Sequence, residues 1–388
     1  MKKIIGYTGL AIIIIATIFN IYCIFSGNYF IYKALIYNLV NIDDYKIFDN
    51  RTINRSIAES PWPISKKYNS FDFSDSLSGV LKKYEAVAFI VVKDDSILIE
   101  KYYNHTGEQI SASFSMAKSV VSLLIGIALQ EGKISSLDDP VAKYIPDFGT
   151  DDRKTITIRH VLMMSSGIAW DESAAYNNPI KVLGSDIMEA YYGSKLNELV
   201  LSKPMQSMPG KYFDYRSADT QILSMIIATA TGTSLSKYFE EKIWQPIDAE
   251  NDALWNLNEK NGYERAFCCL YANARDFARL GKLCLHKGYW NGAMLIDSNY
   301  INHAISPIML PNLADDTKIV DYYGYQFWLI ERLGHKIYYM RGTLGQFIIM
   351  IPKLNTVIVR LGKQQSDKIA NHYGQTYTII DEVIKMVR

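Results

Sequence analysis

A serine and a lysine three residues apart, Ser115 and Lys118 in ASFSMAKSVV, stand at the head of an apolar run. On a helix that begins at the serine, the two side chains share a face, with Cβ atoms about 5–6 Å apart. A serine hydroxyl is a weak nucleophile until a base takes its proton. A lysine desolvated among apolar neighbours has its pKa lowered enough to serve as that base. The helix start adds unpaired backbone N–H groups and the positive dipole end, both suited to a developing oxyanion. A core helix with a polar start would show the same spacing. The chain also carries a second copy, Ser234 and Lys237, which follows TATGT and opens a charge-rich helix where Ser234 reads as an N-cap. Spacing alone leaves both readings of Ser115 open.

The elements around this pair define a fold class. Residues 86 to 103, AVAFIVVKDDSILIEKYY, hold two β-rich runs about a KDDS turn, a hairpin signal. From Ser115 to Gln130 there is no alternation, and Gly132 follows as a helix terminator, so a largely buried helix is expected. Between about 135 and 310 apolar residues recur at helix spacing, with loops that carry Trp170, Tyr176, Tyr212 and Tyr215. Strand-like runs return at YGYQFWLIER, HKIYYMRG, QFIIMIP and NTVIVRLGK with short turns between them, which favours an antiparallel meander, and a helix is expected over 375–387. Strands at both ends with helices between them imply an α+β fold: one antiparallel sheet built from the two chain ends and flanked by helices, plus an inserted helical lobe. The cleft between sheet and lobe is the natural site.

Composition narrows the function. Of 388 residues, 49% are apolar and 21% charged, the balance of a folded protein. Lys and Arg number 41 against 40 Asp and Glu, with no basic block interleaved with aromatics, so nucleic acid is not an expected partner. After Lys2 and Lys3, the stretch from Ile4 to Phe25 contains no charged side chain. Its length, about 22 residues or 33 Å of helix, suffices to cross a bilayer core. No AxA-like cleavage pattern follows, so residues 1–26 read as an uncleaved single-pass anchor in preference to the alternative, a cleaved secretory signal, with the lysines inside and the rest of the chain outside the cytoplasm, in a bacterial periplasm or cell envelope. Residues 27–70, including SPWPISKKYNS, read as a tether that partly packs on a domain spanning 71–388. The four cysteines, Cys23, Cys268, Cys269 and Cys284, imply no disulfide framework, and the adjacent pair lacks the CxxC spacing of a redox or zinc site. No metal site is indicated and no cofactor is expected.

The ordered set SFSMAKSVVSLLIGIALQEGKISSLDDPVAKYIPDF, ITIRHVLMMSSGIAWDE and MPGKYFDYRSADTQILSMIIATATG, after a β-hairpin, resembles the serine beta-lactamase and penicillin-binding superfamily. Within it the chain is most similar to the class C beta-lactamase-related esterases and 6-aminohexanoate oligomer hydrolases, over about residues 85 to 365. The resemblance implies a beta-lactamase/transpeptidase-like fold, with Ser115 as the acylated nucleophile and Lys118 as its partner. Tyr215, in the Tyr215-Arg216-Ser217 match to the second motif, would relay the proton, with Ser217 in the substrate site. One tyrosine among 28 is by itself more often structural. The third motif, usually Lys or His, a small residue and Gly, corresponds to Met340, Arg341 and Gly342, so the expected cation is missing and Arg341 is left to point into the cleft. Gly342 would allow close backbone approach, and the N–H groups of Ser115 and Thr343 would form the oxyanion hole. Trp170 reads either as a substrate wall or as packing, Trp328 and Tyr176 as core or rim, and His160 as structural.

These readings converge on a membrane-anchored serine hydrolase that cleaves a small ester or amide through an acyl-enzyme. A penicillin-binding, peptidoglycan-directed peptidase or beta-lactamase is the alternative, and a catalytically silent binding protein of the same fold is a third. The missing cation at Met340 speaks against the second, and the complete Ser115, Lys118 and Tyr215 set against the third. The sequence does not define an oligomeric state.

Overall fold

The computed structural model describes residues 2–37, 40–58, 60–172 and 184–388, with side chains from Tyr7 onward. The chain begins with helix α1 (Lys2–Ser26), whose segment from Tyr7 to Ser26 is long and apolar enough to cross a membrane. Most of its large apolar side chains face away from the rest of the molecule; Ile15 is 67% exposed and Phe25 87%. Helix α2 (Asp75–Lys83) then leads into the hairpin of β1 (Ala86–Lys93) and β2 (Ser96–Tyr102). The two turn residues, Asp94 and Asp95, have φ of +48° and +61°, the left-handed pair that matches a two-residue turn to strand twist.

After β2 come helices α3 (Met116–Gln130), α4 (Ser217–Thr231) and α5 (Ala274–Leu285). The meander follows as β3 (Trp328–Arg332), β4 (His335–Gly342), β5 (Gln346–Ile351) and β6 (Thr356–Gly362), and α6 (Gly374–Val387) closes the chain. The sheet is antiparallel throughout, in the order β3-β4-β5-β6-β1-β2. The chain ends meet where β6 pairs with β1, Val359 opposite Ile90. Both faces of the sheet are covered, which is why β1 is apolar almost without alternation. Phe89 and Val91 pack with Leu77 of α2 and Ile380 of α6, while Ala88 and Ile90 join the core that contains α3 and α5. This is the α+β architecture expected from the sequence.

Helix α3 is buried over its full length apart from its last two residues. An apolar surface on every side is what a helix held between a sheet and a helical lobe requires. Tyr300 crosses it at Gly126, where an added Cβ would lie 2.4 Å from the ring, and its hydroxyl donates to the Ser122 carbonyl at 2.7 Å.

Residues 27–70 pack on the domain over part of their length. The helix Phe30–Tyr37 buries Phe30, Ile31 and Ala34. Asn50–Ile53 forms the edge of a second sheet, which continues through Ala253–Asn256 and Leu270–Ala272 to Ser111–Ala112. Trp62 is buried and donates its indole N–H to the Arg275 carbonyl at 3.1 Å. The prolines of SPWPISKKYNS suppress regular structure without preventing packing. One departure concerns Cys268 and Cys269, which the sequence left outside any disulfide arrangement: the structure joins them to each other, while Cys23 and Cys284 are free and buried.

Two truncations test the role of the N-terminal segment. Removing residues 2–26 takes away mostly exposed surface and is expected to shift the melting temperature by only a few degrees. Removing residues 2–54 also strips Phe30, Ile31, Ile42 and Ile53, each worth about 1.5–3 kcal/mol when buried, from a domain of about 5–15 kcal/mol total stability. Loss of a cooperative melting transition is expected for the second truncation alone.

Candidate active site

Ser115 occupies the N-cap position of α3, yet its side chain makes no capping hydrogen bond. The second serine-lysine pair behaves in the opposite way. Ser234 accepts from the Lys237 N–H at 3.3 Å as a true N-cap, and Lys237 Nζ pairs with Glu240 at 2.7 Å, so this pair is structural as expected. The Ser115 hydroxyl is left out of the cap and available to other partners. Phe114, directly before it, holds φ of +42°, and Leu344, directly after Thr343, holds +61°. Such left-handed conformations cost bulky residues about 1–3 kcal/mol each and persist where packing enforces them. Here they flank the two backbone amides proposed for the oxyanion.

Lys118 follows one turn later and is 1% exposed. Its Nζ has three acceptors: Ser115 Oγ at 3.1 Å, Ser217 Oγ at 3.1 Å and the Phe267 carbonyl at 2.8 Å. Burial pushes its pKa down to about 8, against an opposing pull from the charge of Glu172. Ser217 starts α4, and its hydroxyl donates to Glu172 Oε1 at 2.6 Å. Glu172 Oε2 accepts the Ser217 backbone N–H at 2.8 Å and the Trp170 indole N–H at 2.7 Å. These bonds fix the direction of the network. Ser217 gives its proton to Glu172 and so turns a lone pair to Lys118, while the Phe267 carbonyl can only accept. The ammonium form of Lys118 satisfies all three acceptors. The neutral amine has two N–H donors, which Ser217 and Phe267 take, leaving its lone pair for the Ser115 hydroxyl.

Tyr215 stands on the other side of the lysine, with Lys118 Nζ 5.1 Å from its ring centre. Burial and the charge of Glu172 raise its pKa well above the usual phenol value, while an interaction with the Ser115 side chain partly offsets this. The phenol therefore keeps its proton when Lys118 has lost its own. The turn that presents Tyr215 is braced from below: Gly210 N–H donates to the Ser165 carbonyl at 2.8 Å and Asp214 N–H to the Met164 carbonyl at 2.9 Å. Gly210 has φ of +74° and runs so close to His160 that an added Cβ would lie 2.8 Å from its Nε2. His160 also completes a capping box with Thr157, a structural role as expected.

The third motif enters from the sheet. Gly342 ends β4 against the approach to the serine, and an added Cβ would lie 2.2 Å from the Ser113 carbonyl oxygen. Only glycine permits this approach, which brings Thr343 to the cavity that Ser115 lines. That cavity, about 310 Å3, is also lined by Glu172, Tyr215, Ser217, Phe267, Trp328, Arg341 and Lys368. Met340 is fully buried in the core, while Arg341 does face the cleft. A larger cleft of about 990 Å3 lies around Glu100 and Arg275. Its buried carboxylate is already held by Arg275, Tyr68 and Tyr102, so greater size does not make it the reactive site.

The structure thus brings Ser115, Tyr215, Ser217, Arg341, Gly342 and Thr343 to one cavity, with Lys118 buried behind it and hydrogen-bonded to Ser115 and Ser217. Trp170 is buried and does not line it; it holds Glu172 in place, and Trp328 supplies the aromatic wall instead. Tyr176 lies outside the described residues. Sequence reasoning missed Glu172, Phe267 and Lys368. Glu172 follows Trp170 in the quoted motif, but nothing in its spacing marks it, Phe267 acts through its backbone, and Lys368 arrives from a distant hairpin.

The profile of the family described as Beta-lactamase matches residues 77–373. The chain is 22% identical over 308 residues to the 6-aminohexanoate-dimer hydrolase of Paenarthrobacter ureafaciens, covering 76% of this chain and 77% of that protein. Among solved structures it is similar to a 6-aminohexanoate-dimer hydrolase assigned in Bacillus anthracis, with a TM-score of 0.75 and 21% identity over 88% of this chain and 90% of the other. It is also similar to a family VIII carboxylesterase, with a TM-score of 0.64 and 15% identity over 84% of this chain and 99% of that one. The chain belongs to the beta-lactamase family and is a serine hydrolase of that family.

Proposed function

We propose that this protein is a membrane-anchored hydrolase that cleaves a small ester or amide outside the cytoplasm, through an acyl-enzyme on Ser115. The observation that carries the reading is the polarity of the hydrogen bonds around Lys118, which leaves the neutral amine one lone pair, directed at the serine. Ser115 Oγ attacks the substrate carbonyl carbon while its proton passes to Lys118 Nζ. The carbonyl oxygen takes the negative charge, opposite the N–H groups of Ser115 and Thr343. The tetrahedral intermediate then collapses as its bond to the leaving oxygen or nitrogen breaks. Tyr215, still protonated, donates to the leaving group and recovers a proton from Lys118. In the second half a water gives its proton to Lys118 and attacks the acyl carbon, and Ser115 Oγ departs with that proton. Protons and charge return to the starting state.

The anchor is supported by the length, apolarity and exposure of the helix from Tyr7 to Ser26, and the outward orientation by Lys2 and Lys3. Fractionation of intact cells is expected to recover the full chain in the membrane, with the domain open to protease added from outside. A soluble, shorter product would mean that the helix is a removed signal.

Replacing Ser115 is expected to lower turnover of short-chain esters by about 1,000-fold or more with an unchanged melting curve, and to abolish labelling by a fluorophosphonate. Labelled penicillin is expected to leave the protein unmarked; stable labelling would move the assignment to a peptidoglycan-directed peptidase. Full activity in Ser115→Ala would end the proposal.

The charge states give a pH profile. Lys118 must be neutral to act as base, so kcat/KM is expected to rise through a pKa of about 8. Glu172 pulls that value upward, so Glu172→Gln removes the pull and is expected to move the rising limb to lower pH. A limb that stays in place, or moves to higher pH, would remove Glu172 from the electrostatics of the base.

A further inference from the structure

We propose that the helix Phe30–Tyr37 lies in the non-cytoplasmic surface of the bilayer and holds the Ser115 cavity against it, so that the ester or amide cleaved is an amphiphile taken from the membrane itself. This seat rests on the anchor and hydrolase readings above and adds the class of substrate.

Between Ile4 and Ile42 the chain carries a single charged side chain, Lys33, and no acid. Helix α1 ends at Ser26, Gly27 turns with φ of +71°, and the next helix starts at Phe30. That second helix stays against the first. Tyr32 donates its hydroxyl to Asn20 Oδ1 at 2.7 Å and sets its ring edge-on to that of Phe19, with 6.0 Å between centres, and Cys23 is fully buried at the junction. Asn20 precedes the end of α1 by about 9 Å along the helix axis. An amphipathic helix lies at a similar depth in a bilayer interface, about 5–10 Å.

The two faces of the helix Phe30–Tyr37 differ. Phe30, Ile31 and Ala34 are buried, whereas Leu35 and Ile36 are 52% and 73% exposed. Tyr22, Tyr29 and Tyr37 are exposed around the same junction, and tyrosine is a residue that membrane proteins place at headgroup level. An exposed apolar face that continues the surface of a membrane-spanning helix, with no acid along it, is matched by lipid.

The buried face leads to the catalytic cavity. It packs on the helix Asp186–Tyr192, which contributes Ile187 and Tyr191 to the lining of the Ser115 cavity. Val40 lines the same cavity and follows Tyr37 by three residues, so the two lie within about 11 Å of each other. At about 310 Å3 the cavity is at the small end for a ligand site, so a long apolar tail has to lie outside it. The apolar lining at Val40 and Ile187 leads such a tail towards the lipid, while the scissile carbonyl stays at Ser115.

The full chain in phosphatidylcholine vesicles is expected to hydrolyse 4-nitrophenyl palmitate dissolved in the bilayer as well as soluble 4-nitrophenyl acetate. Combining Leu35→Glu with Ile36→Glu is expected to lower the ratio of the first rate to the second by about tenfold, because charge is expelled from a lipid-facing surface, with an unchanged melting curve. A ratio that survives both substitutions, or a wild type that cleaves the acetate and spares the palmitate, would overturn the proposal. Nitroxide labels at Ile15→Cys and Ile36→Cys separate the seat from the anchor, since the free cysteines of the chain are buried. Both labels are expected to meet dissolved oxygen in lipid more often than a water-soluble nickel chelate. Ile15 in lipid with Ile36 in water would overturn the seat and leave the anchor standing, while both in water would end the anchor reading and the seat with it. If neither ester is cleaved, the failure lies with the hydrolase reading, and the seat stands with Ile36 in lipid and falls with Ile36 in water.

Discussion

A single buried amine organises this molecule. Lys118 sits in a helix with apolar neighbours on every side, and its pKa, ordinarily 10.5, is held at about 8. Below pH 8 the folded chain must carry that charge in its interior, at a cost of roughly 3 kcal/mol relative to the unfolded state. Because the unfolded chain binds the proton more tightly, this cost fades as pH rises from about 8 towards 10.5. Three acceptors from three different elements offset part of it. The same burial that destabilises the ammonium makes the neutral amine accessible near neutral pH, so the energetic cost and the basicity have one cause.

The acceptors around that amine are held by two parts of the fold, the second sheet and helix α4. Ser115 enters from the second sheet, where Ser113 N–H donates to the Leu270 carbonyl at 2.7 Å. Phe267 precedes the Leu270–Ala272 strand of that sheet, so the approach to Ser115 and the carbonyl that holds Lys118 are tied together. Asn50–Ile53 forms the edge of this sheet, which gives the N-terminal segment a place in the scaffold of the site. Ser217 arrives on α4 and is polarised by Glu172, which Trp170 holds in turn. On the remaining side the main sheet brings Gly342 against Ser113, close enough that any side chain would force it away.

The catalytic centre and the pocket beside it differ in character. Around Lys118 every described polar contact is answered within the protein, and the network has one direction. Around Arg341 the walls are aromatic, with Trp328 and Tyr373 against the guanidinium and the Asn371 carbonyl accepting from it.

Much of this was legible in the residues themselves. The β1–β2 hairpin, the meander and the buried helix α3 follow from local patterns, because strand alternation, turn residues and helix spacing are short-range properties. The serine-lysine pair was visible for the same reason, since three positions on a helix fix a distance without help from the rest of the chain. That pattern could not distinguish Ser115 from Ser234, because both satisfy the same local geometry. The flanking residues already favoured a cap for Ser234, and tertiary structure completed the distinction by burying Lys118 and withholding a capping bond from Ser115. It also chose Glu172, the Phe267 carbonyl and Lys368, and gave the aromatic wall to Trp328 in place of Trp170. Burial and hydrogen-bond direction depend on groups brought together from distant positions in the chain, and only the closed fold determines which groups meet.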